Sequence, residues 1–577
     1  MFKLVKFLKP YKKECIIGPL FKLFEAILEL LLPTIMALII NNGVLANNQS
    51  YVFKMGALML FMAILGYGCS LVCQYYAARA SQGFGTTLRN VVFEHISTLS
   101  YAELDKFGTA SLINRLTNDI NQLQLAIAML IRLVIRAPFI CIGAVTMAML
   151  LDLKLSLILL AAIPVFAIIL YLIISKTAPL YRIHQQKLDK MVVLVRENLL
   201  GVRVIRAFTK TDYEKKRFTQ ANADLTDTAI YVNKISAMLN PLTSLVMNAA
   251  IIAILWVGGL QINLGRLSQG EIIAFVNYIT QILLALIVVS NLVVIFTKAF
   301  ASANRVTEIL DTTTSTIEMT SIPCCTKDDN APIIQLNNVS YSYSGTDEKV
   351  LNDISVVIGH GETIGIIGGT GSGKSTLINL IPRFYDVTEG EMLFCGVNVK
   401  EYSLTKLREK IRVVPQQAML FSGTIAENIR WGKEDATDEE VVEAATIAQA
   451  SDFIAKLPNG YDTQVSRGGQ NFSGGQKQRL TIARALVAKP LVLILDDASS
   501  ALDYATDFKL RQAIKQTSAL MTVIIVSQRA NTIKHADKIL VLDDGNLVGL
   551  GTHIDLLNSC NVYREIYLSQ KSDREVG

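Results

Sequence analysis

Apolar positions along the chain follow two patterns: long unbroken runs up to about residue 305, and short runs between polar turns beyond about residue 330. Six long runs can be drawn, near 16–40, 55–76, 130–151, 155–174, 238–260 and 273–296. Each is close to the roughly 20 residues a helix needs to cross a hydrocarbon layer about 30 Å thick. The connections 77–125 and 176–235 keep a helical period with few Pro or Gly. This predicts membrane helices that continue into the cytoplasm and turn at the polar stretches Tyr101–Gly108 and Thr209–Phe218. The opening MFKLVKFLKPYKKE is basic and amphipathic and meets the first run without a small-residue cleavage site, so an interfacial helix feeding a retained span is expected. The expected organisation is an all-α six-helix membrane domain over 1–305, a linker over 306–332 and an α/β domain over 333–570.

Composition agrees with a membrane half. Hydrophobic residues make up 51% of the 577 and charged residues 18%, against roughly 25% charged in soluble domains. The formal net charge of +6 comes with no dense Lys/Arg block interleaved with aromatics, which argues against a nucleic-acid partner. Basic residues instead segregate by side. The loop Asn41–Val52 has no Lys or Arg and the other two loops on that side offer only Lys154 and Arg266, whereas the opposite side holds Lys3, Lys6, Lys9, Lys12, Lys13, Arg79, Arg89, Lys106, Arg115 and a series from Lys176 to Lys234. The positive-inside bias then makes both termini and the two long connections cytoplasmic in a multi-pass protein of the cell membrane. The eight cysteines include no CxxC pair, and Cys324 and Cys325 lie in a polar stretch, so reduced thiols are expected. Lys22, Glu25 and Glu29 in the first run and Arg132 and Arg136 beside the third are costly against lipid and are expected to face the bundle interior or an aqueous cavity; the alternative, snorkelling from near a helix end, suits Arg132, whose run is only marginally apolar.

The second half carries phosphate chemistry. An apolar run, Thr363–Ile367, leads into Gly368, Gly369, Thr370, Gly371, Ser372, Gly373, Lys374, Ser375 and Thr376, the full GxxxxGKS spacing. Glycines turn successive backbone N–H groups toward phosphate oxygens, Lys374 adds charge at the β/γ positions and the Ser375 hydroxyl suits Mg²⁺. The helix expected from Leu377 directs its dipole at the anion. Downstream, the apolar run Leu491–Leu495 ends in Asp496, a second anchor for a metal-bound nucleotide. ATP and Mg²⁺ are the implied cofactors.

Between these segments, Phe472, Ser473, Gly474, Gly475 and Gln476 in NFSGGQKQR resemble the signature motif of ABC transporter ATPases. Tyr343 resembles the family's adenine-stacking aromatic, Gln416 its Q-loop glutamine at the metal and attacking water, and Ser500–Asp503 its D-loop; LFSGTIAENI and ENLLGVRVIRAF resemble exporter sequence. The resemblance spans nearly the whole chain. It implies a half-transporter: an all-α six-helix transmembrane domain with long cytoplasmic extensions, followed by an α/β P-loop ATP-binding cassette domain. It also implies that Ser473, Gly474, Gly475 and Gln476 clamp ATP held by a second half-transporter chain, and that the tips near 101–108 and 209–218 are coupling helices.

Two departures from the family bear on mechanism. Asp497 stands where it usually has the Glu that polarises water, and Gln528 where it has the switch histidine; His535 is out of register to replace it. Arg467 replaces a common Glu before the signature, an effect that nothing in the sequence explains. Together these resemble the degenerate-site member of a heterodimeric bacterial exporter of drugs or lipid-like amphiphiles, whose partner carries Glu and His. A homodimeric slow exporter and an ATP-binding gating subunit are the alternatives.

Overall fold

The computed structural model describes residues 2–316, 331–343, 348–517 and 521–572. Cys324, Cys325 and most of the expected linker lie outside the described residues. The chain forms two compact units, Met1–His95 with Ala110–Asp311, and Ile96–Thr109 with Thr312–Gly577.

The basic start folds as a 3₁₀ helix, Phe2–Tyr11, and leads into α1 (Lys12–Leu38) and a π-helical turn at Ile39–Val44. Then come α2 (Gln49–Thr98), the short α3 (Tyr101–Phe107), α4 (Thr109–Asn114), a π turn at Arg115–Asp119, α5 (Ile120–Met129), a second π turn at Leu130–Val134, and α6 (Arg136–Leu151). The helical part ends with α7 (Leu153–Leu200), α8 (Val202–Ala207), α9 (Thr211–Ala237), α10 (Leu239–Asn263) and α11 (Gln269–Asp311). Among the described residues, six helical stretches are long and apolar enough to cross a membrane: Lys3–Val44, Gln49–Thr98, Thr109–Leu151, Leu153–Leu200, Thr211–Asn263 and Gln269–Asp311. At 50 residues α2 is about 75 Å long, more than twice the hydrocarbon thickness.

Lipid tails are as apolar as leucine, so membrane helices associate by close packing of small residues rather than by expulsion of water. Accordingly Ala26, Ala144, Ala148 and Ala274 are buried, while Phe61, Ile64, Ile142, Leu150 and Trp256 face outward. Tyr278 is buried between helices, its hydroxyl donating to the Leu30 carbonyl at 2.9 Å and lying 2.8 Å from Thr34 Oγ1.

The second reversal is tighter and earlier than the polarity of Thr209–Phe218 suggests. α7 stops at Gly201, α8 follows, and the chain turns at Phe208–Lys210 with Thr209 at φ 53°. Most of the polar stretch is already α9, whose first turn carries Asp212 and Glu214 where the helix dipole favours anions. There polarity marked a solvated helix face.

The second unit contains β1 (Ile334–Tyr341), β2 (Leu351–Ile358), β3 (Thr363–Gly368), β4 (Glu389–Phe394), β5 (Val397–Asn398), β6 (Ile411–Val414), β7 (Gly423–Thr424), β8 (Gln464–Val465), β9 (Val492–Asp496), β10 (Thr522–Val526), β11 (Lys538–Asp543) and β12 (Asn546–Gly551). Its helices after α3 are α12 (Lys374–Leu380), α13 (Leu404–Lys410), α14 (Ile425–Arg430), α15 (Asp438–Ile447), α16 (Ser451–Ile454), α17 (Gly474–Leu486), α18 (Tyr504–Thr517), α19 (Ala530–Ile533), α20 (His553–Ser559) and α21 (Asn561–Ser572). The main sheet has the order β12-β11-β3-β10-β9-β6, parallel except for β12, and a second sheet, β2-β1-β4-β5, is antiparallel. Alternate residues of the main sheet serve two cores: Ile364, Ile366, Ile494 and Ile524 one, Ile367, Leu493, Leu495 and Ile525 the other. Burial on both faces is why these strands read as unbroken apolar runs.

Candidate functional site

β3 and β9 lie in one parallel sheet with β10 between them. Ligands of such sheets bind beyond the carboxyl ends of the strands. Three segments converge there: the loop after β3, the two aspartates at the end of β9, and the Ser527–Gln528 segment after β10.

The loop after β3 turns on Gly371 and Gly373, at φ 85° and 91°, in the left-handed region that glycine enters without cost. A Cβ on Gly373 would press on Leu351 and the Val350 carbonyl, whereas on Gly369 or Gly371 it would meet open space. The loop therefore presents bare backbone, and α12 begins at Lys374. The buried Lys374 Nζ donates to the carbonyls of Gly368 at 3.1 Å and Gly369 at 2.5 Å, and to Ser372 Oγ at 3.3 Å. Burial pushes its ammonium below the ordinary lysine range, against the opposing charges of Asp496 and Asp497.

Asp496 is hydrogen-bonded to Ser375; burial, then the Asp497 charge, raises its carboxyl above the usual range. Mg²⁺ in nucleotide sites takes one or two protein oxygens and completes its shell with phosphate and water. The adjoining Ser375 hydroxyl and Asp496 carboxylate suit that pattern, and no group of three or more His, Cys, Asp or Glu among the described residues forms an all-protein metal cage. Asp497 is held at φ 46°, its N–H donating to the Val526 carbonyl of β10 at 3.0 Å. Burial raises its carboxyl, with Arg529, Lys374 and a hydrogen bond from Ser500 acting against that.

Gln416 and Gln528 are exposed just beyond β6 and β10. Tyr343 Oη lies 3.1 Å from Thr376 Oγ1, and its ring meets Tyr341 and Tyr385 edge-on at 5.0 and 5.6 Å. Ser473, Gly474, Gly475 and Gln476 gather separately at the start of α17. The Ser473 hydroxyl accepts from the Gln476 N–H at 3.3 Å while Gln476 Oε1 accepts from the Ser473 N–H at 2.9 Å. This capping box leaves the hydroxyl proton free to donate. Gly475 lies against the Ala501 carbonyl, where a Cβ would come within 3.0 Å.

Three supports had no sequence signal or a weak one. Gln570 of α21 grips the main chain around the switch position, donating to the Gln528 carbonyl at 2.7 Å and accepting from the Ala530 N–H at 2.9 Å. The buried Gln478 of α17 donates to the Pro415 carbonyl at 3.2 Å, ahead of Gln416. Tyr385 donates to Asp105 of α3 at 2.7 Å, and Tyr101 of α3 stacks on Phe384 at 4.5 Å. A buried Gln on a helix is a readable signal; the other two depend on pairing across 40 to 280 residues.

Residues 15–286 match the ABC transporter transmembrane region and residues 351–500 the ABC transporter family. An ABC transporter ATP-binding protein of Bacillus subtilis is 39% identical over 570 residues, covering 99% of this chain and 98% of the relative. The chain belongs to the ABC transporter family. Another Bacillus subtilis ABC transporter, named as a multidrug export ATP-binding/permease protein, is 34% identical over 99% of both chains. The ATP-dependent lipid A-core flippase of Syntrophus aciditrophicus is 32% identical over 90% of this chain and 86% of its own length. The solved structure of a bacterial Atm1-family ABC exporter with ATP bound superposes with a TM-score of 0.79, at 25% identity, over 97% of this chain and 98% of the other. This ABC protein is thus an exporter-type half-transporter: a multi-pass membrane protein that couples ATP binding and hydrolysis to transport. ABC exporters work as dimers, and this chain supplies one half.

Proposed function

We propose that this subunit carries the hydrolytically impaired ATP site of a heterodimeric exporter of amphiphilic compounds, drugs or lipid-like molecules, with both termini cytoplasmic. Gly368 to Thr376 hold the β- and γ-phosphates, Tyr343 stacks on adenine, and Ser375, Asp496 and Gln416 hold Mg²⁺. When bound, Mg²⁺ neutralises charge on the phosphate oxygens. The Ser473 hydroxyl, the Gly474 and Gly475 N–H groups and Gln476, at a helix N-terminus, grip the γ-phosphate of ATP seated on the partner chain. Closure around two nucleotides gives ATP a higher affinity for the closed dimer, which biases the membrane helices.

The observation that carries the reading is the pairing of Asp497 and Gln528 at the carboxyl ends of the neighbouring strands β9 and β10. A base must come within about 2.6–3.2 Å of the water it activates. Asp is shorter than Glu by one methylene; the Ser500 hydroxyl fixes the Asp497 main chain, donating to its carbonyl at 2.8 Å, and the charge of Arg529 acts on its carboxyl. Gln528 donates a hydrogen bond but cannot become cationic near neutral pH. The named activities of the multidrug and lipid relatives support an amphiphilic substrate.

Asp497→Glu with Gln528→His is expected to raise ATP turnover of the chain's own site at least about 10-fold, roughly 1.4 kcal/mol of barrier. The readout is steady-state ATPase of the purified transporter. Hydrolysis by the chain alone at the rate of symmetrical exporters, with no gain from Asp497→Glu, would falsify the reading.

A further inference from the structure

Lys22, Glu25, Glu29, Arg132 and Arg136 are the charged side chains inside the six apolar runs. Lys22, almost fully buried, donates to both carboxylate oxygens of Glu25 at 2.7 Å. Arg136 donates to Glu29 Oε2 at 2.6 Å. Two of the three cations thereby take both anions, and Arg132 has no acidic partner among the described residues. Its Nε is buried without a hydrogen bond.

Arg132 belongs to the same cluster as these pairs. The neighbouring Ile131 lies against Gly18 of α1, one helical turn before Lys22. Arg132 rides on the π turn Leu130–Val134, a departure from regular helix often found where a side chain is re-aimed for function. It is half-buried, so its guanidinium is not sealed off.

A guanidinium stays charged in apolar surroundings, and its planar fork matches a carboxylate or phosphate. The protein's own acids in these runs are taken and Arg132 lies within an apolar run, so a ligand that pairs with it there carries an anionic group and an apolar tail. We infer that Arg132, beside the Lys22–Glu25 pair, anchors the anionic headgroup, carboxylate or phosphate, of an amphiphile within the membrane bundle. The inference rests on the exporter reading for the fate of the ligand; binding itself needs no nucleotide.

The test uses the full-length chain in phosphatidylcholine nanodiscs without ATP, titrated with dodecanoate, dodecyl phosphate, dodecanol and dodecyltrimethylammonium. Both anions are expected to bind at least about 10-fold more tightly than dodecanol or the cation. Arg132→Gln should abolish that preference and Arg132→Lys keep part of it. Glu25→Gln, which frees Lys22, should enlarge it, a gain that misfolding does not imitate. Nanodiscs containing phosphatidylglycerol separate the sources: competition marks a bilayer lipid as the occupant, and unchanged affinity marks a free amphiphile. Equal affinity for anionic and neutral analogues, or a preference untouched by Arg132→Gln, overturns the inference. Neither result bears on the ATPase test of Asp497 and Gln528, so the two readings fail separately.

Discussion

At the scale of single residues the phosphate site conflicts with its own stability. Asp496 and Asp497 are adjacent carboxyls, both raised by burial, and Asp496 further by the charge of Asp497. A carboxyl whose pKa rises on folding favours the folded state only when protonated. Its contribution is fully present below the unfolded value of about 3.9 and is lost as pH rises through the folded value. Ionisation of these two half-buried carboxyls therefore opposes folding of the nucleotide-free site, with Lys374 as a partial counterweight. Asp496→Asn keeps an acceptor for Ser375 and removes one charge. It is expected to raise the nucleotide-free melting temperature by about 2–4 °C while abolishing Mg²⁺-dependent ATP retention, read by thermal unfolding and filter binding.

At the scale of elements, α3 is the piece of the helical sequence that packs with the second compact unit. A Ser100–Glu103 capping box starts it and Gly108, at φ 73°, ends it. From it, Asp105 accepts from Tyr385, Tyr385 meets Tyr343 edge-on, and Tyr343 lies against Thr376 of the phosphate loop. Burial, then the bond to Asp105, lifts the Tyr385 phenol far above its ordinary range, so it remains a donor at any working pH. The chain of contacts links the proposed adenine platform to α3. Tyr385→Phe keeps the ring and deletes the hydrogen bond. It should lower ATP-dependent transport about 5-fold in inverted vesicles and leave ATP affinity unchanged. Had the cluster only a packing role, transport would be unaffected. The turn around α3 was legible as the polar stretch that ends at Gly108, because turn residues act locally; its Tyr385 partner, 280 positions away, was not.

At the scale of the whole molecule, the asymmetry of basic residues supports the proposed orientation with both termini cytoplasmic. With native cysteines replaced, Asn47→Cys, exposed in the loop without Lys or Arg, is expected to react with a membrane-impermeant maleimide on intact cells. Asn558→Cys on α20, also exposed, should react only after permeabilisation. The reverse labelling would invert the topology. The same scale bears on the proposed work of the signature: its Ser473 caps α17, a different helix from the α12 that follows the phosphate loop, which suits the proposed clamp for ATP on a second chain.

The sequence by itself determined the six spans, the strand–loop–helix of the phosphate site and the two substituted positions. Each depends on local physics: apolar run length, glycine's freedom near φ 90°, or the identity of one side chain. Tertiary structure alone decided that β10 lies between β3 and β9, which brings Gln528 to Asp497, and that Gln570 holds the loop that bears Gln528. It alone decided that the membrane charges pair so as to leave Arg132 over. Strand order and charge pairing are set by packing between segments far apart in sequence, to which hydrophobic periodicity is blind.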